Sequence, residues 1–114
     1  MANAAMLRAR LDAQMTEAQW QEQVIAFARL RAWLVAHFRP AQTSQGWRTP
    51  VTADGAGFPD LVLVRERVVV VELKSETGRV SVEQRRWAIA LKLAHAEHYL
   101  WRPSDWPQVE EALR

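Results

Sequence analysis

Residues 57–76 read GFPDLVLVRERVVVVELKSE, two apolar runs joined by RER. Short runs rich in Val and Leu on either side of a polar break are the pattern of a β-hairpin. With Arg65, Glu66 and Arg67 as a three-residue turn, Val64 faces Val68, Val62 faces Val70, and Asp60 faces Glu72. Side chains alternate along a strand, so Asp60, Glu72 and Lys74 share one face. Directly opposed residues have Cβ atoms about 4.5–5.5 Å apart, where like charges destabilise the pairing unless something neutralises them. Taken alone, Pro-Asp is a turn and Glu-x-Lys a solvated ion pair. Set opposite one another and flanked by valines, they describe a charged site inside a buried sheet.

Two carboxylates without His or Cys partners suit a hard cation, and Mg²⁺ is commonly held by one or two carboxylates with water and phosphate completing its shell. Lys74 places a compact ammonium on the same face, suited to orienting or deprotonating a water or to stabilising phosphate charge. A cation there would polarise a phosphodiester and activate water for its hydrolysis.

The rest of the chain bounds this reading. With 114 residues it holds a single core. The absence of cysteine excludes disulfides and thiolate metal sites. No signal-peptide pattern opens the chain, and no uncharged run reaches the roughly 20 residues that span a bilayer. A soluble, cytoplasmic protein is expected. The net charge is only +2, but 13 of the 15 basic residues are Arg. That bias suits bidentate phosphate contacts and equally reflects genome composition.

Residues 1–15 read as a tail or short helix, and 16–114 as one domain. The segment TEAQ at Thr16 is a capping box, followed by apolar positions at Trp20, Val24, Phe27, Leu30 and Leu34. A helix over 16–32 and a strand over 33–39 are predicted, with Pro40 as the stop. Residues 40–58, rich in Pro, Gly, Ser and Thr, read as a long loop suited to binding. Strands follow over 60–64 and 68–74. Ser81 and Gln84 form a second capping box for a helix reaching about His95. HYLWR reads as a strand and PSDWPQVEEALR as a terminal helix. The order describes an α/β domain, a small mixed β-sheet flanked by helices.

The segments GFPDLVLVR, VVVVELKSETGRVS and EQRRW, in this order and spacing, resemble the VRR-NUC branch of the PD-(D/E)xK nuclease superfamily. The resemblance runs from Thr16 to Trp106 and includes HYLWRPSDW. It implies a restriction-endonuclease-like core in which Asp60, Glu72 and the main-chain carbonyl of Leu73 bind Mg²⁺ or Mn²⁺. It makes Lys74 the catalytic base or water-orienting group. Gln84, followed by Trp87, corresponds to an accessory residue touching water or phosphate. Stand-alone relatives, bacterial or viral, look like symmetric dimers cutting branched DNA such as four-way junctions, and two-fold symmetry presents two sites to two strands. Superfamily members usually carry an acid on the first helix. Glu22 is the natural acid here, while Trp20, Val24 and Phe27 put Gln23 nearer the buried side.

Other residues divide between packing and DNA contact. Trp20, Trp33 and Trp87 occupy apolar positions of predicted elements and are expected in the core. Trp47 and Arg48 lie in the loop, where a ring and a guanidinium suit either DNA or loop anchoring. Arg85 and Arg86 at a helix start, with Arg79 just before, are candidate phosphate contacts. His37, His95 and His98 show no metal-ligand spacing. The glycines of ADGAGF fit a turn that leads the chain into the site. The leading expectation is a metal-dependent DNA endonuclease selective for branched DNA, acting as a homodimer without membrane or small-molecule partner. The alternative is a non-catalytic nucleic-acid-binding or assembly module of the same fold; Asp60, Glu72 and Lys74 together favour the enzyme.

Overall fold

Both predicted capping boxes form. A computed structural model of the chain describes residues 3–38, 41–43, 46–48 and 52–114, with backbone alone for the two segments between 41 and 48. In it Thr16 Oγ1 accepts from the Gln19 N–H while the Gln19 side chain accepts from the Thr16 N–H. Ser81 and Gln84 repeat the arrangement. Each box satisfies two N–H groups that a helix start otherwise leaves open, which sets where α2 (Glu17–Leu30) and α3 (Val82–Leu93) begin. Residues expected as a tail or short helix form α1 (Ala4–Gln14), capped by Asn3.

The strands are β1 (Leu34–His37), β2 (Ala41–Thr43), β3 (Gly46–Arg48), β4 (Leu61–Val64), β5 (Val68–Leu73) and β6 (Glu97–Trp101). A 3₁₀ turn at Pro103–Asp105 leads into α4 (Trp106–Leu113). The main sheet has the order β1-β4-β5-β6, antiparallel except for the parallel pair β5 and β6 joined through α3. The expected unbroken loop over 40–58 needs correction, because its described backbone contains a two-stranded ladder, β2 with β3, pairing Gln42 with Trp47.

The hairpin register is the predicted one: Val64 pairs with Val68, Val62 with Val70 and Leu61 with Val71. Its turn is pinned from outside. The Arg65 and Arg67 guanidinium carbons lie 4.5 and 4.9 Å from the centre of the Trp33 ring. Arg65 also donates to the Arg31 and Arg114 carbonyls, and Trp33 Nε1 donates to the Leu113 carbonyl at 2.9 Å. The turn thus holds the C-terminal ends of α2 and α4, whose last carbonyls lack helical partners.

One face of the sheet, carrying Leu61, Leu63, Val69, Val71, Leu73 and Trp101, is fully buried beneath Trp20, Val24 and Ala28 of α2 and Val109 and Leu113 of α4. Trp20 and Trp33 are core residues as expected. Trp87 is not: it is half-buried on α3 and donates to the Asp54 carbonyl at 2.9 Å, anchoring the approach to β4. The opposite face of the sheet carries Asp60 and Glu72 and meets α3.

Candidate active site

Asp60 lies one residue before β4 and Glu72 one before the end of β5, so the register sets them opposite each other. Asp60 Oδ2 accepts the Leu73 N–H at 2.8 Å, which orients that carboxylate at the strand end. Glu72 is only 4% exposed. Burial first, then the facing Asp60 carboxylate, push its carboxyl up to about 9, while Lys74 acts in the other direction. Half-buried Gln84 donates to both Glu72 oxygens, its Nε2 lying 3.1 and 3.3 Å away. Gln84 therefore has two roles: its oxygen closes the α3 capping box and its amide holds Glu72. A capping residue has become the link between a helix start and a site carboxylate.

Lys74 follows immediately after β5, with its side chain 12% exposed. Its backbone N–H donates to the Trp101 carbonyl at 3.1 Å. The same carbonyl accepts Trp20 Nε1 at 3.0 Å, so the first turn of α2 docks at this end of β5 and β6. That docking brings Glu17, one turn before Trp20, to 4.0 Å from Lys74 Nζ. Partial burial raises the Glu17 carboxyl most, Lys74 lowers it, and Asp60 raises it. Glu17, Asp60, Glu72 and Lys74 thus sense one another electrostatically.

Glu22 and Gln23, the candidates on the first helix, line grooves whose other lining residues do not include Asp60, Glu72 or Lys74. Glu22 lines a groove with Ile25, Arg29, Val35 and His37, and Gln23 lines another with Arg8, Leu11 and Pro103. The start of α2 meets the strand ends, and later turns lead away along β1. Glu17 carries a legible signal that the sequence reading passed over, since it shares the stripe of Trp20, Val24 and Ala28 at spacings of three, four and four.

Arg102 is a second residue missed. Its guanidinium donates to the carbonyls of Ser75, Glu76 and Gly78, at 2.6, 3.3 and 2.8 Å, and so shapes the loop that leaves Lys74. Arg79 and Arg85 are exposed near this corner, without ion-pair partners among the described residues, and Arg86 lies 3.8 Å from Asp54. The side chains of Trp47 and Arg48 fall outside the described residues. His95 is exposed and His98 half-buried, where burial pushes its imidazole down.

Gly57 brings the chain to the site with φ +81°. A Cβ there would lie 2.4 Å from the Glu83 carbonyl carbon and 2.7 Å from the Gln84 nitrogen. Gly57→Ala is therefore expected to cost about 3 kcal/mol through positive φ and collision with backbone. The melting temperature should drop by roughly 10 °C; a melt within a degree of the parent would contradict this close approach.

Among the described residues no three His, Asp or Glu side chains form a ready-made metal cage. The donor set is a facing carboxylate pair, which matches a cation that keeps water and substrate oxygens in its shell. Burial and the facing Asp60 carboxylate raise the Glu72 carboxyl, the direction expected where two acids converge on a position that a cation would fill. No helix among the described residues is long and apolar enough to cross a membrane.

A model of the VRR-NUC domain family matches residues 6–102, most of the chain and all of the site residues above. No curated protein and no solved structure matches the chain.

Proposed function

Because the chain belongs to the VRR-NUC domain family, a nuclease family of PD-(D/E)xK-like fold, we propose that it is a divalent-metal-dependent DNA endonuclease selective for branched DNA. The observation that supports this best is the facing pair Asp60 and Glu72 with Lys74 at the same strand end. In this reading Asp60, Glu72 and the Leu73 carbonyl would hold Mg²⁺ or Mn²⁺. When bound, the cation supplies Lewis-acid polarisation of the phosphate.

The chain's own groups do the rest. A bound cation would require an ionised Glu72, whose carboxyl burial raises, so loading would strengthen as pH rises. Lys74, sheltered on one side and facing Glu17 on the other, orients the attacking water or holds its proton. Glu17, 4.0 Å from Lys74 Nζ, helps to position it and completes the acidic corner. Gln84 fixes the Glu72 rotamer and stands beside the scissile phosphate. Arg79, Arg85 and Arg86 contact the DNA backbone around it, and the loop residues Trp47 and Arg48 are further candidate DNA contacts. Two copies related by a two-fold axis present one such site to each of two strands.

The test is cleavage of labelled four-way junction, flap and linear duplex DNA with Mg²⁺, with Mn²⁺ and with chelator. Metal-dependent cleavage favouring the branched substrates is expected. Retained DNA binding with no cleavage under any condition would identify a non-catalytic module instead. Light scattering should give twice the chain mass. Within the same assay Glu17→Ala is expected to slow cleavage about 10–100-fold, as loss of a supporting carboxylate does, and Glu22→Ala to stay within about twofold. The reverse ranking would return the first-helix role to Glu22.

A further inference from the structure

The sheet register continues past the carboxylates to a residue that phosphodiester hydrolysis does not require. His37 pairs with Leu61 and Leu61 with Val71, so the next row across three strands is Phe38, Asp60 and Glu72. The Phe38 N–H donates to the Asp60 carbonyl at 3.0 Å. Directly opposed residues of an antiparallel ladder project to one face, which puts the Phe38 side chain beside Asp60 on the carboxylate face.

The ring is held there. Phe38 meets Phe58 at 5.6 Å and 89°, and Phe58 meets Trp87 at 5.0 Å and 83°, an edge-to-face ladder of three aromatics. Its far end is tied down, because Trp87 donates to the Asp54 carbonyl and lies one turn after Gln84, the partner of Glu72. Both ends of the ladder are thus joined to residues of the site. Phe58 and Trp87 are half-buried, whereas Phe38 is 44% exposed. An aromatic ring braced at its inner edge and open to solvent is the arrangement on which a nucleobase stacks.

We propose that Phe38 is the stacking platform for an unpaired nucleobase adjacent to the phosphate held at Asp60 and Glu72. This rests on the nuclease reading and adds a selection step to it. A base inside continuous duplex has both faces covered by its neighbours, so only an unpaired or extruded base uses the ring. The subsite therefore favours branched or single-stranded DNA over linear duplex, whatever the base, since every base offers a π-face.

The probe is 2-aminopurine, placed at the unpaired position of a branched oligonucleotide or inside a linear duplex, bound to the full chain carrying the cleavage-silencing Asp60→Asn change. The unpaired probe should be quenched and the paired one unchanged. Phe38→Leu, which keeps apolar contact with Phe58, should abolish the quenching and weaken branched-DNA binding about tenfold, with duplex binding within about twofold. Phe38→Trp should restore both. In the cleaving chain, Phe38→Leu should lower kcat/KM about tenfold on branched DNA only. Unchanged quenching, or equal losses on both DNAs with Phe38→Leu, overturns the proposal. Phe38-dependent quenching in a chain that cleaves nothing would leave the subsite standing while removing the nuclease reading; cleavage indifferent to Phe38 would do the opposite.

Discussion

Asp60→Asn is expected to lower metal-dependent cleavage by about 10³-fold or more while leaving the fold intact. The magnitude follows from the several kcal/mol that a bound cation contributes to phosphoryl chemistry, at one factor of ten per 1.36 kcal/mol. Asn is close to isosteric with Asp, and its side-chain oxygen can still accept the Leu73 N–H that Asp60 Oδ2 takes at 2.8 Å. What disappears is one of two facing negative charges. A thermal melt should therefore show no loss of stability, which separates lost chemistry from lost structure. Single-turnover rates for the variant within tenfold of the parent, under saturating Mg²⁺, would show that Asp60 is not a metal ligand in the reaction.

Glu72→Gln carries the second large effect, in two directions at once. The folded-state value of the Glu72 carboxyl, about 9, lies above its ordinary 4.5. Between these values the folded chain keeps a proton that the unfolded chain releases. Stability from this group is complete below pH 4.5 and is lost as pH rises toward 9. At pH 8 the loss is on the order of 3–5 kcal/mol for a carboxyl this buried. The neutral amide removes that loss and can still accept from Gln84, so the metal-free variant should melt roughly 10 °C above the parent at pH 8. At pH 4.5 the two should coincide. Cleavage by the variant should fall as far as for Asp60→Asn, and Mg²⁺ should stabilise the parent but not the variant. An equal melting difference at both pH values would refute the buried-proton account.

Together these outcomes describe a site that lowers stability when empty. Glu72 is held at 4% exposure next to another acid because valine and leucine rows surround it. A sheet selected for stability alone would place an apolar residue there.

The hairpin and its charges were legible because every step is local. The three-residue RER turn determines which residues face each other, and strand alternation determines the shared face of Asp60 and Glu72. The two capping boxes were legible for the same reason, each spanning four residues. Resemblance alone made Gln84 an accessory residue touching water or phosphate; its contact with Glu72, through a capping side chain whose amide is left free to donate, emerged from the packing.

Glu17 was passed over in favour of Glu22 and Gln23 because periodicity shows which side of a helix is buried and not which end meets the strands. That was settled by a contact between residues 81 positions apart, Trp20 on the Trp101 carbonyl. The same applies to Phe38, whose neighbour Asp60 is opposite only because β1 adds to β4 in one register among several that LVAH would tolerate. Sequence by itself determined the hairpin, the two capped helix starts, the facing carboxylates and the family, since turn length, alternation and capping act over a few bonds. Tertiary structure alone decided which helix end meets the strand ends and which residues stand beside Asp60, since these depend on how separately stable elements dock.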